Sequence, residues 1–182
     1  MINWQSIYGY NNCGTVHKRV LLELPPKAVV VEVGVAHGKG IALLAALREE
    51  LHLDFEIWGV DKFVSEQVEL NAGYSEISLD DTEAKLKAAG VRDGQYKLLV
   101  SDSAEAAKLF KVVDYVFLDA DHTYEGLARD IKAWWPKVKV GGFIGGHDWD
   151  FGSVKEAVFE VFPEPEIFGA DWVNSWLQKK VG

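Results

Sequence analysis

The sequence predicts an α/β domain, in which a mostly parallel sheet is covered by helices on both faces and ends in an antiparallel C-terminal hairpin. Two observations predict this class. Short apolar runs, several of them rich in valine, alternate with segments whose apolar residues recur at helical spacing. The segments between the runs are long enough to carry a crossover helix, which parallel strands require.

The first half of the chain predicts helices over 16–24 and 39–51, which alternate with strands over 28–35 and 55–61. The first strand is rich in valine, which suits a strand that is buried on both faces of a parallel sheet. The connection after the second strand, 62–94, is acidic and irregular in pattern. It holds one further helix, which is predicted to start near Asp80 or Asp81 and to stop at Gly90.

The second half continues the alternation, with strands over 96–102, 112–119 and 140–148 and helices over 104–110 and 123–135. Ser153 and Glu156 have the spacing of a capping box, which predicts that a further helix starts there. The tail from 165 to 181 is predicted to form the terminal hairpin, with its turn around 172–174. The parallel strands and the hairpin together give a seven-stranded sheet.

Composition and charge indicate a protein that acts on small molecules. The chain has 182 residues, and we expect one domain over 1–182 with an N-terminal helical or lid segment over 1–27. The formal net charge of −9 disfavours nucleic acids and anionic membranes as partners, because both are polyanions. The single cysteine excludes an internal disulfide framework. Neither a signal-peptide pattern nor an apolar stretch of membrane-spanning length is present, so a cytoplasmic location is expected.

An acidic residue stands at or near the carboxyl end of every predicted parallel strand. These residues are Glu32, Asp61, Asp102, Asp119 and Asp148. Ligands of such sheets bind at the carboxyl ends of the strands, so the acids are predicted to converge on one rim. The alternative is that each acid caps the helix that follows it, where it meets the positive end of the helix dipole.

The loop after the first strand, Glu32-Val-Gly34-Val-Ala-His-Gly38-Lys-Gly40, has the most specific pattern. Its glycine spacing matches neither the dinucleotide pattern G-x-G-x-x-G nor the phosphate-binding pattern G-x-x-x-x-G-K-[ST]. Glycines at Gly34 and Gly38 allow the backbone to bend tightly and to approach a ligand. Glu32 would repel a pyrophosphate and suits a cationic group, such as an ammonium.

The acids at the next strand ends suit the rest of a nucleoside ligand. Asp61 can accept hydrogen bonds from both hydroxyls of a ribose, and Asp102 with Ser103 can bind an adenine edge. Phe63 can cover the face of the adenine. An ammonium, a ribose and an adenine together describe S-adenosylmethionine.

Three segments resemble class I S-adenosylmethionine-dependent methyltransferases. EVGVAHGKG resembles motif I of the catechol and caffeoyl-CoA O-methyltransferase branch. FLDADHTYEGLARDI followed by VGGFIGGHDW is similar to the methyltransferase 24 type and to macrolide-sugar O-methyltransferases. The resemblance runs from about Val29 to about Trp149. It implies a Rossmann-like sheet and methyl transfer to a hydroxyl of a small acceptor.

Together with the residue chemistry, the resemblance assigns roles to individual side chains. The candidate cofactor-binding residues are Glu32, Gly34, Gly38, Asp61, Phe63, Asp102, Ser103 and Asp119. Asp119 and Asp148 match positions that hold Mg²⁺ in metal-dependent relatives, and His147 stands where relatives carry another carboxylate or Asn. These three are the candidate ligands of Mg²⁺ or Mn²⁺, although imidazole suits Mn²⁺, Zn²⁺ or Fe²⁺ better than Mg²⁺. His122 matches a general-base histidine and, with Asp119, forms the candidate catalytic pair.

Several alternatives stay open at this stage. Asp121 or Asp150 is an alternative metal ligand, and Trp149 is a candidate floor for the acceptor pocket. Tyr8 and Tyr10 either form a lid or cover the sheet. A chain with so little material for a lid favours an open site, a homo-oligomer that completes the site, or a bulky acceptor such as a glycosylated product. The competing functions are an N- or C-methyltransferase, a hydroxylase-associated enzyme, and a non-catalytic cofactor- or partner-binding module. If the protein is a non-catalytic module, His122 is a solvated histidine at the start of its helix.

Overall fold

The computed structural model describes residues 1–9, 13–64, 77–169 and 174–182, and it has the α/β class that the sequence predicts. The strands of this part of the chain are Ala28–Val33 (β1), Phe55–Asp61 (β2), Lys97–Val100 (β3), Val113–Leu118 (β4), Val138–Gly146 (β5), Glu166–Phe168 (β6) and Ser175–Lys179 (β7). Its helices are Gly14–Leu21 (α1), Lys39–Glu50 (α2), Leu79–Ala88 (α3), Ser103–Leu109 (α4), Tyr124–Trp134 (α5) and Gly152–Val161 (α6), with 3₁₀ turns at Trp4–Ser6 and Trp135–Lys137.

The seven strands form one sheet in the order β3-β2-β1-β4-β5-β7-β6. Strands β1 to β5 pair in parallel, whereas β7 runs antiparallel to both β5 and β6. The prediction of a mostly parallel sheet with an antiparallel C-terminal hairpin is therefore confirmed. Most of the predicted hairpin turn, and part of the irregular connection over 62–94, lie outside the described residues. The chain order reverses between β1 and β4, and ligands of such sheets bind at this reversal.

Strands β1 and β4 lie at the centre of the sheet because their side chains are mostly apolar and are buried on both faces. Val30 packs in a core layer with residues of α1, α2 and α3, and its neighbour Val31 packs in a second layer with residues of α4, α5 and α6. Helices thus cover both faces of the sheet. No helix in the described ranges is long and apolar enough to cross a membrane.

The start of α6 differs from the sequence prediction. The helix starts at Gly152, and its N-cap residue Phe151 makes no capping hydrogen bond with its side chain. The capping box predicted at Ser153 and Glu156 is therefore wrong. The physical reason is position, because Ser153 is already the second residue of the helix, and its hydroxyl donates to the backbone carbonyl of His122 at 2.7 Å.

Candidate active site

Three strand ends meet at the carboxyl edge of the sheet. The backbone N–H of Asp119 donates to the carbonyl of Val33 at 2.8 Å, and the N–H of His147 donates to the carbonyl of Leu118 at 3.3 Å. These hydrogen bonds continue the parallel pairing beyond the last residues of the strands. They fix Asp119 beside the end of β1, and they fix His147 and Asp148 beside the end of β4.

Gly34 allows the ends of β1 and β4 to approach each other. Its φ is +91°, a backbone conformation that favours glycine. A Cβ atom at this position would also overlap the backbone carbonyl of Asp119. Any side chain at Gly34 would therefore push the loop after β1 away from Asp119.

Glu32 lies beneath this loop and is only 3% exposed. Its carboxyl group passes so close to Gly40 that a Cβ atom there would overlap Oε1. The other oxygen, Oε2, is buried and has no hydrogen-bond partner among the described residues. Burial raises the pKa of Glu32 well above its usual value, and the charges of Asp119 and Asp61 raise it further. A cationic ligand group would satisfy both the free oxygen and the buried charge.

Asp61 shapes the same loop through its carboxylate. Oδ2 accepts hydrogen bonds from the N–H groups of Val35 at 2.8 Å and Ala36 at 2.9 Å, and Oδ1 accepts one from Phe63 at 2.7 Å. Ala36 and Phe63 both have positive φ angles, of +46° and +52°, which are uncommon for residues other than glycine. A ribose bound at Asp61 would share these oxygens with the amides of the loop. The ring of Phe63, the candidate cover for the adenine, is only 7% exposed.

Asp102 and Ser103 both have partners within the protein. Asp102 caps α4, because its Oδ1 accepts from the N–H of Ala104 at 3.0 Å, and its Oδ2 pairs with Arg129 at 3.0 Å. The buried hydroxyl of Ser103 accepts a hydrogen bond from the indole N–H of Trp134 at 3.0 Å. The capping interpretation of the strand-end acids thus describes Asp102, and the hydroxyl of Ser103 already has a core partner.

Four polar side chains gather where β4 and β5 end. Nε2 of His122 lies 3.0 Å from Oδ2 of Asp148 and 3.6 Å from Oδ1 of Asp119. Nδ1 of His147 lies 3.4 Å and 3.6 Å from the same two oxygens. Each imidazole therefore faces both carboxylates. We call these four residues the Asp–His cluster; it brings together the residues that the sequence predicts for catalysis and for metal binding.

The charges of the Asp–His cluster favour bound positive charge. The neighbouring carboxylates of Asp119 and Asp148 raise the pKa of His122 to about 10. Burial opposes the protonation of His147, but the carboxylates of Asp148 and Asp119 beside its Nδ1 raise its pKa. Burial also acts to raise the pKa of Asp148, yet the two histidines hold that pKa well below its usual range. For Asp119 burial prevails and raises the pKa.

The loop that carries Asp148 is anchored on both sides. Asp148 has a φ of +55°, a strained conformation for an aspartate, and its carbonyl accepts a hydrogen bond from the N–H of Phe151 at 2.9 Å. The N–H of Trp149 donates to the carbonyl of Asn174 at 2.9 Å. The carboxylate of Asp150 accepts from the backbone and side-chain nitrogens of Asn174 at 2.8 Å and 2.9 Å. These contacts hold the Asp148 carboxylate toward the cluster. They also give both oxygens of the Asp150 carboxylate a hydrogen-bond partner.

The Asp–His cluster has a donor set that fits a divalent cation. One ligand atom each from Asp119, His122 and Asp148 lies within 4.8 Å of the others. His122, predicted as the base, is therefore a candidate ligand as well as His147. Two carboxylates with imidazole favour Mn²⁺, Zn²⁺ or Fe²⁺ over Mg²⁺. Asp121, an alternative ligand from the sequence, instead accepts two hydrogen bonds from the residue that caps α5.

Phe151 is the aromatic residue beside the cluster, and the sequence prediction missed it. Its ring centroid lies 6.2 Å from that of His122, with an angle of 31° between the rings, and the residue is 53% exposed. Trp149, the candidate floor of the acceptor pocket, is instead buried and packs edge-on against Phe159. The signal in the sequence was the position of Phe151 shortly after Asp148, which the predicted capping box obscured.

The N-terminal segment lies against the start of α2. The ammonium of Lys39 donates to the carbonyl of Gly9 at 2.6 Å. The exposed ring of Tyr8 meets the ring of His37 edge-on, with 6.0 Å between centroids. These contacts place the first residues of the chain beside the glycine loop. Tyr10, the other candidate lid residue, lies outside the described residues.

The comparison with protein families identifies the chain over most of its length. The family described as "Methyltransferase domain", of the methyltransferase 24 type, matches residues 31–149, from β1 to the residue after Asp148. The match therefore includes the glycine loop and the whole Asp–His cluster. A comparison with curated protein sequences finds no match.

Solved structures share the fold at low sequence identity. The O-methyltransferase NovP superposes with a TM-score of 0.72 at 18% identity, over 93% of this chain and 79% of NovP. An S-adenosylmethionine-dependent O-methyltransferase from Thermotoga maritima gives a TM-score of 0.70 at 16% identity, over 97% of this chain and 68% of its own. An rRNA methylase from Streptococcus thermophilus gives 0.67 at 14% identity, over 96% and 99% of the two chains. This chain therefore belongs to the methyltransferase domain family and has the fold of S-adenosylmethionine-dependent methyltransferases.

Proposed function

We propose that this protein transfers a methyl group from S-adenosylmethionine to a hydroxyl of a small-molecule acceptor, assisted by a divalent metal. The observation that carries the proposal is the position of the Asp–His cluster beside the loop after β1. Asp119 is hydrogen-bonded to the end of β1, directly before Gly34. The residues proposed as proton acceptor and as metal ligands therefore lie next to the loop that is proposed to hold the cofactor.

On the cofactor side, Glu32 is proposed to bind the ammonium of the methionine part. Its buried Oε2 has no hydrogen-bond partner in the part of the chain that the structure describes, which supports this role, because an ammonium would supply a donor. Gly34 and Gly38 allow the backbone to approach the ligand, and Asp61 is proposed to bind the ribose. The remaining candidate cofactor-binding residues, for the adenosine part and for the methyl-bearing end of S-adenosylmethionine, are Phe63, Asp102, Ser103 and Asp119.

On the acceptor side, His122 is proposed to take the hydroxyl proton. In the reaction the oxygen lone pair forms the O–C bond while the C–S bond breaks, and the electron pair stays on sulfur. The side chain of His122 is 43% exposed and faces both carboxylates, which stabilise the imidazolium that forms. A divalent cation on these carboxylates would lower the pKa of the acceptor hydroxyl and displace the resting proton from His122.

The acidity of the site supports a small acceptor over a nucleic acid. The chain carries a net charge of −9, and Asp119, Asp121, Asp148 and Asp150 all stand at the same end of the sheet. A polyanionic acceptor would meet this charge unfavourably. The N-terminal segment is proposed to form one wall of the site, supported by the contacts of Tyr8 and Lys39.

Titration of the protein with S-adenosylhomocysteine tests the cofactor part of the proposal. We expect the Glu32→Gln variant to bind this product about tenfold more weakly, because the charged hydrogen bond to the ammonium is lost. Glu105→Gln is the matched control, since Glu105 is an exposed glutamate of α4 that pairs with Lys108. A wild-type protein that binds no S-adenosylhomocysteine would contradict the proposal.

A further inference from the structure

We propose that Phe151 forms the wall of the acceptor site, and that the acceptor is an uncharged or cationic ring compound that stacks on it. This inference rests on the proposed function and names the class of acceptor for the same site. Three observations carry it: the place of an exposed aromatic ring, the hydrogen bonds that anchor its backbone, and the charge around it.

The first observation is the place of the ring. Single exposed apolar side chains are common on protein surfaces, so the exposure of Phe151 alone carries no weight. Its ring, however, lies 6.2 Å from the ring of His122, the proposed proton acceptor. The ring of Trp149, which follows Asp148 in the chain, is buried. Among the described residues, Phe151 is thus an exposed aromatic face that an acceptor beside His122 would meet.

The second observation is that the backbones of Phe151 and His122 are tied together. The N–H of Phe151 donates to the carbonyl of Asp148 at 2.9 Å, and its carbonyl accepts from the N–H of Lys155 at 3.1 Å. The Ser153 hydroxyl donates to the carbonyl of His122 at 2.7 Å, which ties the start of α6 to the loop before α5. These bonds keep the Cα positions of Phe151 and His122 close to each other, so a ring stacked on Phe151 would lie within reach of His122.

The third observation is the charge around the ring. Among the described residues, no Lys or Arg lies within ion-pair distance of four neighbouring carboxylates, those of Asp119, Asp121, Asp148 and Asp150. The segments outside the described residues, 10–12, 65–76 and 170–173, contain no Lys or Arg in their sequence. The positive partners of Asp119 and Asp148 are the imidazoles of His122 and His147. An acceptor with a carboxylate or phosphate near its reacting hydroxyl would therefore lie beside these carboxylates and find no Lys or Arg paired with them among the described residues. A neutral or cationic ring avoids this cost.

Four probes of similar size test the inference: catechol (neutral), dopamine (cationic), 3,4-dihydroxybenzoate (anionic) and methyl α-L-rhamnopyranoside (neutral and not aromatic). Their binding to the protein loaded with S-adenosylhomocysteine is measured by NMR titration. Their methylation is measured separately, with S-adenosylmethionine in the same buffer to which MnCl₂ is added. We expect at least one neutral or cationic ring to bind about tenfold more tightly than the anionic one. Phe151→Ala should raise the KM of that ring about tenfold with a smaller change in kcat, and Phe151→Tyr should restore it.

Val161→Ala is the matched control, because Val161 is an exposed apolar residue of the same helix α6 and lies at its far end. It should leave binding and KM as in the wild type. Methylation of a ring with an unchanged KM in Phe151→Ala would overturn this inference and leave the proposed function standing. So would preferred binding of 3,4-dihydroxybenzoate, or binding of none of the neutral and cationic rings. Ring binding that depends on Phe151 without any methyl transfer would instead support the acceptor wall and contradict the proposed function.

Discussion

The Nε2 atom of His122 lies 3.0 Å from the Oδ2 atom of Asp148, and this contact joins the loop after β4 to the loop after β5. Oδ1 of Asp119 lies 3.6 Å from the same nitrogen. One imidazole nitrogen thus faces two carboxylates that come from different strand ends. The proposed proton acceptor and the proposed carboxylate ligands of the cation therefore lie side by side, and Nε2 can serve in only one of the two roles at a time.

Replacement of His122 by Asn removes the proposed proton acceptor and keeps a polar side chain. We expect kcat for methyl transfer to fall about 10²- to 10⁴-fold, which is the usual contribution of a positioned general base. The dissociation constant of S-adenosylhomocysteine should stay within about twofold of the wild-type value, because His122 lies outside the cofactor loop. Steady-state kinetics and calorimetric titration measure the two quantities.

His52→Asn is the matched control for this variant. His52 is exposed and has a φ of +53°, a conformation that asparagine tolerates well. It should keep the wild-type kcat. If His122→Asn lost cofactor affinity as much as kcat, His122 would have a structural role rather than a catalytic one.

Metal removal tests the second role of the Asp–His cluster. We expect EDTA to abolish methyl transfer, and Mn²⁺ to restore it better than Mg²⁺, because the cluster offers imidazole beside its carboxylates. Asp148→Asn should weaken Mn²⁺ binding about tenfold or more when it is measured by calorimetry, without reference to activity. Asp93→Asn is the control, since Asp93 is an exposed aspartate between α3 and β3. Full activity after EDTA treatment would exclude a metal requirement.

The fold could be predicted from the sequence because its signals are local. The run of valines in β1 and the apolar spacing in α2 report burial directly, and parallel pairing follows from the helices between the strands. The convergence of strand-end acids could also be predicted, since the carboxyl ends of parallel strands share one edge.

The partners of each side chain could not be predicted, because they depend on how loops fold over that edge. Ser153 has the spacing of a capping residue, but its hydroxyl binds the carbonyl of His122. Ser103 follows a strand-end acid, yet its hydroxyl is buried against Trp134. For Phe151 the sequence offers only its position shortly after Asp148, which does not indicate that its ring lies beside the imidazole of His122. Such contacts join residues far apart in the chain, which no periodicity encodes.

His17 makes the stability of the protein dependent on pH. It is fully buried in α1, with Nδ1 3.1 Å from the hydroxyl of Tyr115. Burial, with a smaller effect of His147, lowers its pKa to about 3, whereas an unfolded histidine titrates near 6.5. Below pH 6.5 the imidazole of His17 binds a proton in the unfolded chain but not in the folded protein. The free energy of unfolding therefore falls as the pH decreases toward 3. The slope from this group is about 1.4 kcal/mol per pH unit.

A His17→Gln variant lacks this titration. Urea unfolding at pH 7 and pH 5 should therefore show the stability gap between wild type and variant narrowing by about 2 kcal/mol at the lower pH. His52→Asn, which changes an exposed histidine, should keep the pH dependence of the wild type. A gap that is the same at both pH values would mean that His17 is protonated equally in the folded and unfolded states.

Asp102 allows its structural role and its proposed cofactor role to be separated. Its Oδ1 caps α4 by accepting from the N–H of Ala104 at 3.0 Å, and this role needs only a short oxygen-bearing side chain. Serine can supply such an oxygen and alanine cannot. Asp102→Ala should therefore lower the free energy of unfolding by about 1 kcal/mol, and Asp102→Ser by less than about half of that. Both variants also lose the partly exposed ion pair with Arg129. This pair contributes little to the free energy of unfolding, and its loss is the same in the two variants.

The proposed adenine contact needs the carboxylate itself, so the two variants should lose affinity for S-adenosylhomocysteine to the same extent, by about fivefold, despite their different stabilities. Urea unfolding without ligand and calorimetric titration with S-adenosylhomocysteine measure the two effects separately. If instead Asp102→Ser bound the ligand as tightly as the wild type, Asp102 would serve only as a helix cap. The adenosine part of the site would then depend on Asp61 and on the backbone of the loops around it.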